Sequence, residues 1–162
     1  MNAPLVLSPA SLARIDKAVA KYPADQKQSA VMAALTIAQD ERGWLSTATM
    51  DFVAQYLGMP PIAVYEVASF YSMYDLKPVG KCKLSICTNL PCALQGAAAA
   101  AEHLKQKLGI GFGETTADGA FTLKEAECLG ACGDAPVVLV NNKRMACAMN
   151  ADKLDKLIEE LK

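Results

Sequence analysis

The stretch that decides the fold reads Lys81-Cys82-Lys83-Leu84-Ser85-Ile86-Cys87-Thr88-Asn89-Leu90-Pro91-Cys92. Its first half alternates: Cys82, Leu84 and Ile86 fall on one side, Lys81, Lys83 and Ser85 on the other. A period of two marks a strand, here expected with one buried face. The strand runs directly into a C-x4-C loop, Cys87 to Cys92, and an Ala-rich helix is expected from about Cys92 to Leu108. Working outward, Phe121 to Glu125 is a second candidate strand. It feeds a C-x3-C loop, Cys128-Leu129-Gly130-Ala131-Cys132. Val137 to Val140 and Arg144 to Ala146 flank Asn141-Asn142, which tolerate positive φ, so a hairpin is expected there. Asp152 to Leu161 closes the chain as a helix, with Leu154, Leu157, Ile158 and Leu161 at helical spacing. The order β-α-β-β-β-α describes an α/β unit over 80–162.

Upstream, the periodicity changes from two to about 3.6. Ser8 followed by Pro9 is an N-cap with proline at the first helical position, and Leu12, Ile15 and Val19 follow at helical spacing. A second helix is expected from about Asp25 to Arg42, with Val31, Leu35 and Ala38 inward and Gly43 as its C-terminal cap. Ser46 opens a third, carrying Met50, Val53, Ala54 and Leu57 and ending at Gly58. Pro60-Pro61 opens a fourth, with Val64, Val67, Ala68 and Tyr71 on one face. Four short helices with tight turns make a small bundle over 1–79. Leu76-Lys77-Pro78-Val79-Gly80 reads as the boundary, so the chain as a whole is α+β.

Composition narrows what such a chain does. Hydrophobic residues make up 52% and charged residues 20%, enough to build a packed core. Sixteen basic and 17 acidic residues leave no basic excess to neutralise phosphates, which argues against nucleic-acid binding. The opening MNAPLVLSPASL has neither the basic and apolar regions of a secretory signal nor the Arg-rich character of a transit peptide. No run of about 18 apolar residues occurs, so no membrane insertion is expected and the chain reads as cytoplasmic. There is no Gly-x-Gly-x-x-Gly run and no P-loop, so no dinucleotide or substrate site is expected in this chain alone.

Six cysteines remain to be explained: Cys82, Cys87, Cys92, Cys128, Cys132 and Cys147. In a reducing compartment, clustered cysteines point to metal or thiol chemistry. Two paired-cysteine loops at neighbouring strand ends can converge, and a [2Fe–2S] cluster needs four thiolates, two for each iron. Pro91 and Cys92 would begin a helix whose positive end favours a thiolate. Gly130 and Gly133 lack side chains, which would let backbone N–H groups approach the cluster's sulfides. Structural zinc also accepts four cysteines, though its loops more often have two intervening residues. A redox dithiol would favour C-x-x-C, which is absent here. Cys82 shares the face of Leu84 and Ile86 and reads as a core residue. Cys147 and His103 lie away from both loops in sequence, and Met32, Met50, Met73, Met145 and Met149 read as core fillers.

The motifs CTNLPC and ECLGACGDAP, together with AQDERGWLS and VASFYSMYDLKPVGK upstream, resemble the NuoE-type [2Fe–2S] subunits of bacterial respiratory complex I, the NADH:quinone oxidoreductase. The resemblance covers nearly the whole chain. It implies a thioredoxin-like ferredoxin domain behind a small helical domain, with Cys87, Cys92, Cys128 and Cys132 matching the cluster ligands. It further implies a partner flavoprotein subunit that holds FMN and binds NADH, other complex I subunits, and a peripheral position on the cytoplasmic side of the inner membrane. The cluster would take single electrons from the partner's FMN. NAD-linked hydrogenases, NAD-dependent formate dehydrogenases and free-standing ferredoxins share the ligand pattern and are the alternatives. Thioredoxin-like folds often carry a cis proline just before the strand that Pro136 precedes, so a cis Ala135–Pro136 bond is expected. The segment Phe70-Tyr71-Ser72-Met73-Tyr74 is expected either to pack internally or, with the bundle over 1–79, to dock the partner.

Overall fold

The computed structural model describes residues 6–162. Met1 to Leu5, part of the opening segment read above, lie outside the described residues. The chain divides into two compact units, one ending at Pro78 and the other spanning Val79–Lys162.

The first unit is helical: α1 (Pro9–Val19), α2 (Val31–Arg42), α3 (Thr47–Leu57) and α4 (Pro61–Phe70). The caps are the ones the sequence announces. Ser8 and Ser46 accept hydrogen bonds from the N–H groups of Ser11 and Thr49, and Gly43 and Gly58 end α2 and α3 in left-handed conformation. The second helix starts later than expected. No side chain caps it near Asp25, and Lys27–Ala30 winds as a tighter 3₁₀ turn before α2 begins at Val31. Ile15, Leu35, Ala38, Leu45, Val53 and Val64 fill the core. Removing a side chain of leucine or valine size from water contributes about 1.5–3 kcal/mol. Tyr74 joins that core, and its hydroxyl donates to the Met32 carbonyl at 2.9 Å. Phe70, by contrast, is 81% exposed, and Tyr71 has left the helix as its extended C-cap. The aromatic segment therefore splits between packing and display.

The second unit is a four-stranded sheet with helices: β1 (Cys82–Cys87), α5 (Leu90–Leu94), α6 (Ala97–Leu108), β2 (Phe121–Ala126), β3 (Val138–Val140), β4 (Arg144–Ala146) and α7 (Ala151–Leu161). The strand order is β2-β1-β3-β4. β1 pairs parallel with β2, from Cys82 opposite Phe121 to Cys87 opposite Ala126. It pairs antiparallel with β3, which forms a hairpin with β4. Asn141 and Asn142 take φ of 50° and 56° in that turn, as their side chains permit. Leu84, Ile86, Leu104, Leu123, Leu154 and Ile158 make the core between sheet and helices.

Three local expectations are corrected. β1, the interior strand between β2 and β3, is buried at every position, Lys83 and Ser85 included, so its alternation does not mark an exposed face. The helix expected from Cys92 to Leu108 is two helices, broken where Gly96 turns left-handed at φ 92°. Met50 and Met149 do fill cores, but Met145 on the edge strand β4 is exposed.

Candidate metal-cluster site

The site stands at the C-terminal ends of β1 and β2. Because these strands are parallel and adjacent, both segments leave the sheet at the same end. Cys87 is the last residue of β1, and Cys128 lies two residues beyond the end of β2. Cys92 sits in α5, which begins with Leu90 and Pro91 and folds back over the strand end. Cys87 and Cys92 pack with Ala97 and Val137 in a small apolar cluster, against which Leu129, Ala131 and Ala135 lean.

The four thiols form two pairs of different character. Cys128 Sγ and Cys132 Sγ are 3.6 Å apart on an exposed loop. A metal–thiolate bond of about 2.3 Å places two sulfurs on one tetrahedral metal about 3.8 Å apart, so this spacing suits two ligands of one ion. Cys87 and Cys92 are buried and hydrogen-bonded to each other. Charge on Cys132 is felt at Cys92, and charge on Cys87 is felt at Cys132, so the two pairs interact electrostatically across the strand ends. No group of three or more His, Cys, Asp and Glu side chains among the described residues closes on a single metal ion. The arrangement is two pairs side by side.

Electrostatics separate the pairs further. Burial, and then the hydrogen bond with Cys87, pushes the Cys92 thiol up to about 11. Cys92 does lie in the first turn of a helix, α5, as expected, but that helix has only five residues and burial is the largest influence on the thiol. A backbone N–H from Val137, the residue after the cis Ala135–Pro136 bond, does reach Cys92 and partly offsets that shift. Cys128 is held below the usual thiol range, first by the Gly130 N–H, which donates to its Sγ at 3.5 Å, and then by Cys132. Gly130 adopts φ 75°, a conformation open to glycine at little cost, and this turns its N–H onto the sulfur. Cys132 is raised by its hydrogen bond with Cys128.

The remaining candidates lie elsewhere. Cys82 is at the opposite end of β1, buried, with its Sγ against the Leu161 carbonyl at 3.6 Å. Cys147 is half-buried just after β4. His103 bonds Asp155 at 2.8 Å. The Val137 donor and two cross-loop bonds, Thr88 to Glu125 and Asn89 to Glu127, are not foreseen in the sequence. Thr88 and Asn89 meet their acceptors only through the parallel pairing of β1 and β2. Leu90 and Leu94 are equally unforeseen as surface residues: although apolar, they are 71% and 76% exposed beside the first loop.

Fold and site together define a class: a thioredoxin-like α/β unit with two cysteine pairs at its strand ends. Residues 15–162 match the thioredoxin-like [2Fe-2S] ferredoxin family, and the chain belongs to it. It is 45% identical over 143 residues to the E-type subunit of NADH-quinone oxidoreductase from Rickettsia typhi, covering 88% of this chain and 84% of that one. It is also 45% identical over 148 residues to the second E-type subunit of NADH-quinone oxidoreductase from Rhizobium meliloti, covering 91% and 86%. Among solved structures, a chain of an NAD+-reducing [NiFe]-hydrogenase superposes with a TM-score of 0.68 at 25% identity. That match covers 78% of this chain but 22% of the hydrogenase chain.

Proposed function

We propose that this chain is the electron-transfer subunit of an NADH:quinone oxidoreductase and carries one [2Fe–2S] cluster on Cys87, Cys92, Cys128 and Cys132. The observation that carries the reading is the pairing of thiols at adjacent strand ends, with Cys128 and Cys132 3.6 Å apart and Cys87 beside Cys92. When bound, such a cluster takes up and releases single electrons. The residues of the chain supply the rest. Cys87 and Cys92 offer a buried pair, Cys128 and Cys132 an exposed one, and the N–H groups of Gly130 and Val137 donate toward sulfur. Such donors favour the more negative, reduced state and so help set the potential.

The partner in this reading is a flavoprotein subunit that holds FMN and binds NADH; neither group is assigned to this chain. Docking would use the helical unit, residues 1–79, whose α4 displays Ile62, Tyr65 and Phe70 to solvent. Through that partner the chain would sit peripherally on the cytoplasmic side of the membrane. No helix among the described residues is long and apolar enough to cross a membrane. A role as the small component of an NAD-linked hydrogenase is the second reading, favoured by the superposition above. The 45% relatives support the first.

Anaerobic purification with iron and sulfide analysis tests the cluster. The expected result is two irons and two sulfides per chain and an EPR signal on one-electron reduction. Alanine at any of Cys87, Cys92, Cys128 or Cys132 should abolish that signal, whereas Cys82→Ala and Cys147→Ala should keep it. A Cys82→Ala protein without the signal would mean the wrong four were chosen. Co-purification of a flavin-containing partner tests the assembly, and a chain lacking residues 1–79 should lose that partner.

A further inference from the structure

We propose that Thr88 and Asn89, bonded to Glu125 and Glu127, form a two-point latch that fixes the spacing between the two cysteine pairs. This rests on the cluster reading above and adds positioning residues to it. The β1–β2 ladder ends at Cys87 opposite Ala126. One further backbone bond, from the Thr88 N–H to the Ala126 carbonyl at 3.3 Å, extends it. Beyond that point the two segments part into their separate cysteine loops, and two side-chain bonds tie the first loop back to β2 and to the residue that follows it. The Thr88 hydroxyl donates to Glu125 Oε1 at 2.7 Å, and the Asn89 amide donates to Glu127 Oε2 at 2.6 Å. Thr88 and Asn89 directly follow Cys87, and Glu127 directly precedes Cys128. Both bonds therefore join a residue of the first ligand loop to the segment that delivers the second.

Geometry explains why such a join is needed. Cys87 and Cys92 are fixed by burial, but Cys128 and Cys132 lie on an exposed loop. Leu129 and Ala131 lean on the apolar cluster, but the two sulfurs of that loop stay exposed. A four-thiolate cluster spans both pairs, so a loop free to drift would leave one iron poorly held. Bonds from neutral donors to carboxylates are among the stronger side-chain bonds, and two of them flanking the ladder end resist both sliding and splaying. Surface placement keeps their share of overall fold stability small, so their effect should be read at the cluster.

The test uses the full chain with its cluster reconstituted. Thr88→Val and Asn89→Leu remove the donors and leave every charge in place. The double variant should release iron to a chelator at least fivefold faster than the parent and broaden the reduced-state EPR signal, with the far-UV melting of the cluster-free protein little changed. Thr88→Ser, which keeps the hydroxyl, should restore the parent's behaviour at that position. Glu127→Gln keeps an acceptor and should raise release less than Asn89→Leu does. If the double variant releases iron at the parent's rate with an unchanged EPR signal, the latch is wrong while the cluster stands. If Glu127→Gln is as leaky as Asn89→Leu, charge and not the bond holds the loop, and the latch is likewise overturned. If the parent takes up no iron and sulfide, the cluster reading fails and takes the latch with it.

Discussion

Gly80→Ala offers a sharp test of the packing that aligns the two ligand-bearing strands. Gly80 lies just before β1, and a Cβ built there would sit 2.9 Å from the Gly119 carbonyl oxygen, 2.9 Å from the Phe121 carbonyl carbon and 3.0 Å from the Phe121 nitrogen. All three are backbone atoms, so no side chain can swing away. The Gly80 N–H also donates to Thr122 Oγ1 at 2.6 Å, and the neighbouring Lys81 and Cys82 N–H groups bond Gly119 and Ala120. Two effects oppose each other. Alanine restricts the unfolded chain, which on its own would stabilise by about 0.4–1 kcal/mol. Overpacking against an immovable neighbour costs about 1–3 kcal/mol. Stretching the attached hydrogen bonds adds on the order of 1 kcal/mol. The clash wins, and the net destabilisation should be about 1–3 kcal/mol. For a unit of this size that lowers the melting temperature by about 5–20 °C. Urea and thermal unfolding followed by far-UV circular dichroism would read the loss. An alanine variant as stable as the parent would show that β2 yields without cost, and the argument from close approach would fall.

Three further outcomes follow from the same structure. Leu104→Ala opens a cavity at a fully buried position between α6 and the sheet and should cost about 2–5 kcal/mol, read as a lowered urea midpoint with an unchanged slope. In cluster-free protein, Cys128 should be alkylated well before Cys92, since the first is exposed and held low while the second is buried and pushed up to about 11; peptide mapping with iodoacetamide checks this, and equal rates would refute it. Asp155 is depressed below the usual carboxylate value near 3.9, first by its bond to His103. A depressed carboxylate contributes stability above its unfolded value and loses it as pH falls through the folded one. Asp155→Asn should therefore be less stable than the parent at neutral pH, with the difference closing only as pH falls from about 4 through the lower folded value, in acid titrations followed by circular dichroism.

The parts of this protein legible in its sequence are those governed by neighbours along the chain. Ser8, Ser46, Gly43 and Gly58 mark helix ends because capping is a matter of three or four residues. Asn141-Asn142 marks the hairpin for the same reason. The four paired cysteines stand out by spacing alone. What the sequence hides depends on which strands become neighbours. Lys83 and Ser85 look like a solvent face until β1 is flanked by β2 and β3. Glu125 and Glu127 look like ordinary surface charges until parallel pairing brings them to Thr88 and Asn89, 37 and 38 residues away along the chain. The helix dipole suggested a favoured thiolate at Cys92, but only the folded packing shows how completely that sulfur leaves water.

Strand order also accounts for the difference between the two cysteine pairs. β1 is interior, so the residue that ends it, Cys87, is enclosed by the neighbours that pair with it, and α5 carries Cys92 into the same enclosure. β2 is an edge strand, so the loop that follows it, with Cys128 and Cys132, has solvent on one side. Cys92 and Cys128 thus acquire opposite chemistry. Cys92 is driven toward its neutral form by desolvation, while Cys128 is held low by the Gly130 N–H and then by Cys132. A metal bound across both pairs must displace the proton that burial favours on Cys92, so its affinity should rise with pH. The enclosed pair gives such a site its rigidity, and the open pair gives it access to whatever exchanges electrons with it.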